Sequence, residues 1–117
     1  ALRADVEAAK AMGFNLVRKH VKVEDPRWYA WCDRLGMLVA QDMPSSHDLS
    51  SPLARERFLR EWLEIVDQLR AHRCIVMWIP FNEDWGEPPP DFQREVVRAT
   101  RAADPSRLVV EVREEVG

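Results

Sequence analysis

Ile75-Val76-Met77-Trp78-Ile79-Pro80-Phe81-Asn82-Glu83, followed by Asp84-Trp85-Gly86, is the stretch on which the reading of this chain turns. An apolar run with the look of a buried strand ends in an Asn-Glu pair, with tryptophans on either side. A carboxyl at the carboxyl end of such a strand, walled by indole, is well placed to donate a proton. Low-dielectric walls raise a carboxyl pKa and keep the group protonated near neutral pH. Aromatic faces also suit the apolar faces of a sugar ring.

Working outward, helical and strand patterns alternate four times. Residues 3–12 read as a helix, with Val6, Ala9 and Met12 on one face and Gly13 as its stop. Residues 14–18 read as a strand, and His20-Val21-Lys22-Val23 carries the chain off its end. Glu24-Asp25-Pro26 opens a second helix, because proline suits a first helical position where its missing N–H is not needed. Tyr29, Cys32 and Leu35 keep the period, and Gly36 ends it. Met37-Leu38-Val39-Ala40 is a short continuous apolar run, the mark of a strand covered on both faces. It ends at Gln41-Asp42-Met43-Pro44. Residues 45–54 read as the longest loop. Residues 56–72 form the strongest helical pattern, striped by Phe58, Trp62, Ile65 and Leu69. After the third strand, Glu87-Pro88-Pro89-Pro90 leads into a fourth helix over 91–103, lined by Phe92, Val96, Ala99 and Ala103. Asp104-Pro105-Ser106 is a turn, and residues 108–112 read as a fourth strand.

This α/β alternation with short connections predicts a parallel sheet with right-handed crossovers. Two closures remain open, a doubly wound sheet or part of a (β/α)8 barrel. No Gly-rich phosphate loop follows a strand, which removes the usual mark of a nucleotide-binding sheet, and no cofactor is expected.

A single domain is expected from 117 residues. Hydrophobic residues make up 46% and charged residues 32%, a globular mix. The net charge of -3 gives no basic footprint, so no nucleic-acid partner is expected. No apolar run approaches the ~20 residues of a membrane span, so no membrane partner is expected either. The opening Ala1-Leu2-Arg3-Ala4-Asp5-Val6-Glu7 does not read as a signal peptide. It reads as a helix start in mid-protein, so the expectation is a piece of something larger. Cys32 and Cys74 sit in apolar patterns and are expected as buried free thiols, which leans toward a cytoplasmic setting. His20, His47 and His72 lack ligand spacing, and no native metal is expected. His72, at a helix end, is expected to complement the helix dipole.

Several ordered segments resemble the catalytic barrel of glycoside hydrolase family 2, the β-galactosidase, β-glucuronidase and β-mannosidase group. Gly13-Phe14-Asn15-Leu16-Val17-Arg18-Lys19-His20 resembles its second strand, and Trp28-Tyr29-Ala30-Trp31-Cys32-Asp33-Arg34-Leu35-Gly36 its following helix. Met37 through Asp42 resembles the third strand, and Arg73-Cys74-Ile75-Val76-Met77-Trp78 through Asn82-Glu83 the fourth. Asp104-Pro105-Ser106-Arg107 resembles the turn before the fifth.

The resemblance implies half of a (β/α)8 TIM barrel, four parallel strands alternating with four helices. It implies Glu83 as general acid/base and Asn82 as the residue bonding the sugar 2-hydroxyl. It implies Arg18 and His20 as residues that bind substrate or orient the nucleophile, at the carboxyl ends of strands where barrel sites form. Asp42, Trp78 and Trp85 join them as substrate-binding candidates. Structural alternatives stand beside each. Glu83 could be a solvated loop acid, Arg18 an ion-pair partner of Asp42, His20 a structural histidine, and Trp78 a core residue. Trp85 is the better sugar platform.

The family's nucleophile is a glutamate on the seventh strand, and the resemblance here stops at the fifth. A retaining glycosidase needs that second carboxyl about 5 Å from the first. The expectation is therefore a β-glycosidase fragment with weak or no activity alone, acting on a carbohydrate through an incomplete site. The alternative is an excised or engineered scaffold. Open sheet edges recruit another chain, so a homodimer closing an eight-stranded barrel is expected.

Overall fold

The computed structural model describes residues 2–19, 23–44, 49–81 and 88–111. Its elements are α1 (Leu2–Ala11), β1 (Leu16–Lys19), α2 (Pro26–Leu35), β2 (Leu38–Asp42), α3 (Pro52–Leu69), β3 (Ile75–Ile79), α4 (Pro90–Ala103) and β4 (Leu108–Val109). The four strands form one sheet in the order β1-β2-β3-β4, and every pair is parallel.

That order decides between the two closures. A doubly wound sheet reverses direction at a switch point, so its sequence-adjacent strands are not all neighbours. Here each strand lies beside the next. Right-handed crossovers taken repeatedly in one direction put every helix on the same face of the sheet. The result is a partial TIM barrel, with one face under helices and the other facing where a barrel interior would be.

Local chemistry sets the helix ends. The Asp25 carboxylate accepts from the Arg27 N–H at 2.9 Å, and Pro26 occupies the first turn of α2. Gly36 closes α2 at φ 76, donating its N–H to the Cys32 carbonyl. Only glycine takes this left-handed conformation without cost. Ser51 caps α3 by accepting from the Ala54 N–H at 3.1 Å, with Pro52 at the helix start. This cap begins α3 about one turn earlier than the apolar stripe predicted. The expected loop over 45–54 therefore ends at Ser51.

Strand side chains alternate between the two faces. Val39, Gln41 and Met43 point under the helices and are fully or almost fully buried. On the other face Leu16, Leu38 and Leu108 are 46%, 41% and 69% exposed. The helix-side core is built from aromatic pairs. Trp62 of α3 meets Trp78 of β3 edge-on at 5.9 Å between ring centroids. Phe58, Phe81 and Phe92 form a second group, with Phe58 stacked on Phe81 at 5.3 Å. On α4 the inner stripe runs through Phe92, Val96 and Thr100. The expected Ala99 and Ala103 lie at its margin. Met12, expected inward, is 74% exposed, because α1 ends at Ala11 and Gly13 turns the chain at φ 91.

Candidate functional site

Parallel barrel sheets place reactive side chains where strands end at their carboxyl side. Three of the sequence-derived candidates, Arg18, Asp42 and Trp78, lie among the described residues. His20, Asn82, Glu83 and Trp85 lie outside them.

Arg18 is the third residue of β1 and Asp42 the last residue of β2. Both point away from the helices. Arg18 Nε donates to Asp42 Oδ1 and Nη2 donates to Oδ2, each at 2.9 Å. This fork-to-fork geometry fixes both groups in one plane, which only a guanidinium can do. The Asp42 side chain is 1% exposed and that of Arg18 is 48% exposed. The guanidinium is therefore half exposed at the strand ends, over a buried carboxylate. The ion pair expected as the alternative for Arg18 is present, and a guanidinium so held can still face a ligand.

Behind the pair sits a buried polar chain that the sequence reading did not single out. Gln41, fully buried, accepts from the Tyr29 hydroxyl at 2.5 Å and donates through Nε2 to the Asp42 carbonyl at 2.8 Å. The Tyr29 hydroxyl also accepts from the Glu24 N–H at 3.1 Å. Glu24 in turn takes the Lys19 ammonium at 3.0 Å, and that ammonium lies 4.4 Å from the Trp28 ring centroid. Burial pushes the Tyr29 phenol up to about 12, so it stays a neutral donor. The end of β2, α2 and the segment entering α2 are thus tied together. A signal was available in the sequence: Gln41 interrupts an apolar strand on its covered face, and a buried amide there needs a partner.

Trp78 corrects an expectation. It was a candidate for binding sugar, with core packing as the alternative, and the structure places it in the core at 0% exposure. Its indole N–H donates to Asp104 Oδ2 at 2.9 Å and its ring packs on Trp62. β3 alternation turns it under the helices, away from the strand-end mouth, so no ring face is offered to a ligand.

A second polar cluster lies at the opposite ends of the strands. Asp104 accepts from Trp78, from the Ser106 hydroxyl at 2.6 Å and from Arg107 Nη1 at 2.6 Å. Burial would raise the Asp104 pKa, but these three donors outweigh it and hold the carboxyl far below its usual range. Arg107 also donates to the carbonyls of Ile75 and His72, at 2.6 and 2.7 Å. His72 was expected to complement a helix dipole. Instead α3 ends at Leu69, and the His72 Nδ1 lies 2.7 Å from Asp33 Oδ2 of α2. In barrel folds this end reads as stability rather than chemistry.

Among the described residues no three His, Cys, Asp or Glu side chains cluster to hold a metal ion. No described helix is long and apolar enough to cross a membrane. Cys32 and Cys74 are free and buried, as expected.

The family model for the TIM-barrel domain of family 2 glycosyl hydrolases matches residues 1–116. A β-galactosidase of Vibrio cholerae is 29% identical over 90 residues, spanning 70% of this chain and 9% of that protein. A putative β-glucuronidase of Formosa agariphila is 33% identical over 92 residues, spanning 78% of this chain and 11% of that protein. The crystal structure of Parabacteroides merdae β-glucuronidase superposes with a TM-score of 0.81 at 22% identity, over 92% of this chain and 15% of that one. At that identity the superposition speaks to the fold alone. The chain spans about a tenth of the length of the curated relatives it matches.

Proposed function

This chain belongs to the TIM-barrel domain of glycosyl hydrolase family 2, and from that premise we propose that it carries the acid/base half of a β-glycoside-hydrolysing site. Residues 1–117 would form one domain, a half-barrel piece of a retaining glycosidase. In this reading Glu83 protonates the leaving oxygen and later activates water, and Asn82 bonds the sugar 2-hydroxyl. Arg18 and His20 bind substrate or orient the nucleophile, Asp42 holds Arg18, and Trp85 offers a sugar platform. The nucleophile belongs to a segment that these residues do not match, so the chain alone is expected to hydrolyse weakly or not at all.

The observation that carries the reading is the Arg18–Asp42 pair. It stands at the carboxyl ends of β1 and β2, and β3 at their side leads through Phe81 directly to Asn82-Glu83 in sequence. The test is titration of the chain with aryl β-galactoside, β-glucuronide and β-mannoside, followed by nuclear magnetic resonance. Shifts at the Arg18 side chain and at Asn82 and Glu83 are expected with at least one sugar. Silence at all three positions with every sugar would remove the proposal.

A second reading is favoured by the partly exposed sheet face. Leu16, Leu38 and Leu108 are large apolar side chains left in solvent on one side of the sheet. Two copies related by a twofold along the barrel axis would set β4 of each beside β1 of the other, in parallel. That would close eight strands and cover this face, giving a self-assembling half-barrel scaffold without catalysis. Light scattering on a sizing column separates a dimer from a monomer.

A further inference from the structure

A pair of thiols lies beneath the sheet, at the end opposite the mouth. Cys32 faces inward from α2, and Cys74 immediately precedes β3. They are 0% and 3% exposed and belong to the same core cluster. Two contacts bring Cys74 onto the turn of α2 that holds Cys32. The Cys74 sulfur lies 3.6 Å from the Tyr29 carbonyl oxygen, one helical turn before Cys32. The Cys74 N–H donates to Asp33 Oδ1 at 2.8 Å, the residue after Cys32. The neighbouring Cys74 thiol lowers the Cys32 pKa despite burial, while Cys32, burial and the nearby Asp33 carboxylate raise that of Cys74. The Asp33 and His72 side chains, next to the pair, are 28% and 22% exposed.

We propose that Cys32 and Cys74 are a disulfide-forming pair, which peroxide converts into a covalent clamp between α2 and the start of β3. The Cys32 thiolate attacks one peroxide oxygen, the O–O bond breaks, and the leaving hydroxide takes a proton to become water. Cys32 is then a sulfenic acid. The Cys74 sulfur attacks the Cys32 sulfur, the S–O bond breaks, and the Cys74 proton leaves with the departing oxygen as a second water. Two thiols are oxidised and one hydrogen peroxide is reduced. The clamp closes a loop of roughly 40 residues, which spans β2 and all of α3. It goes beyond the glycoside reading and is independent of it.

The experiment treats the reduced, folded chain with hydrogen peroxide, alkylates any remaining thiols, and follows intact mass and the peptide map. The expected result is loss of two hydrogens, one peptide joining Cys32 to Cys74 within a single chain, and a melting temperature raised by roughly 10 °C. Dithiothreitol should reverse both changes. Three results would overturn the proposal: both thiols still alkylated after treatment, sulfinic acid without a cross-linked peptide, or cross-links only between chains. Cys32→Ser and Cys74→Ser should each abolish the cross-linked peptide. Should neither variant fold, the peptide map of the unaltered chain decides alone.

Discussion

Arg18 and Asp42, at the ends of adjacent parallel strands, meet through two hydrogen bonds of 2.9 Å, one side chain half in solvent and the other buried. The register explains how. Arg18 pairs with Ala40, so Asp42 lies two residues further along the neighbouring strand on the same face. Replacing Arg18 by Lys keeps the charge but removes the planar fork. We expect a loss of about 1 kcal/mol in urea unfolding, and a larger loss, about 2 kcal/mol, for Arg18→Ala. An unchanged midpoint for both variants would show that the pair adds nothing to the fold.

Asp104 is the stronger structural hub. Its carboxylate accepts from Trp78, Ser106 and Arg107 while nearly buried. Asp104→Ala should cost about 3 kcal/mol, because the Arg107 charge and the Trp78 indole lose their shared acceptor. Asp104→Asn should cost less, since an amide oxygen still accepts. Denaturant midpoints of the two variants give this order or refute it.

Acid should weaken the fold through the same group. The folded-state pKa of Asp104 is held far below its unfolded value, and that of Asp33 is also lowered, where bonds from His72 and Cys74 outweigh the burial that would raise it. A lowered folded pKa contributes stability that is fully present above the unfolded pKa of about 4 and lost as pH falls toward the folded value. Urea midpoints should therefore be flat from neutral pH to about 5 and fall below about 4. Asp104→Asn should fall less steeply over that acid range. An equal slope in both proteins would assign the acid sensitivity elsewhere.

Tyr29 makes the alkaline counterpart. Burial raises its folded pKa from 10.0 to about 12, so its contribution is present below pH 10 and lost as pH rises toward 12. Tyr29→Phe removes the bonds to Gln41 and Glu24 and should cost about 1–2 kcal/mol at neutral pH. It should also remove this phenol's share of the alkaline loss, read from melting temperatures across that range.

The partly exposed sheet face gives a prediction about association. Leu38 is 41% exposed on it, so Leu38→Lys should alter monomer stability by less than about 0.5 kcal/mol. If two copies close a barrel, the same change should shift the scattering mass from dimer to monomer. A dimer that survives the substitution would place the interface elsewhere.

Much of the fold was legible in the residues, because helix and strand signals are local. Pro26, Gly36 and the apolar run of β2 mark their elements whatever surrounds them. The helix start at Ser51-Pro52 is equally local, but the apolar stripe begins a turn later and hides it. The candidate site was less legible. Trp78 could not be placed from sequence, since a tryptophan beside a strand end suits a core or a ligand equally well. Only alternation within the actual register turned it toward Trp62 and Asp104. His72 likewise found its partner in Asp33, 39 positions away.

The sequence alone therefore determined the order of four helices and four strands, the parallel sheet, and the membership that ordered motifs carry. Those depend on periodicity and on short-range chemistry within each segment. The tertiary structure decided the strand order that distinguishes a barrel segment from a doubly wound sheet, and the pairing of Arg18 with Asp42. It also decided the burial of Gln41 and the meeting of Cys32 with Cys74. Each of these needs two segments distant in the chain to be brought into register, and a one-residue shift along any strand would send every side chain on it to the opposite face.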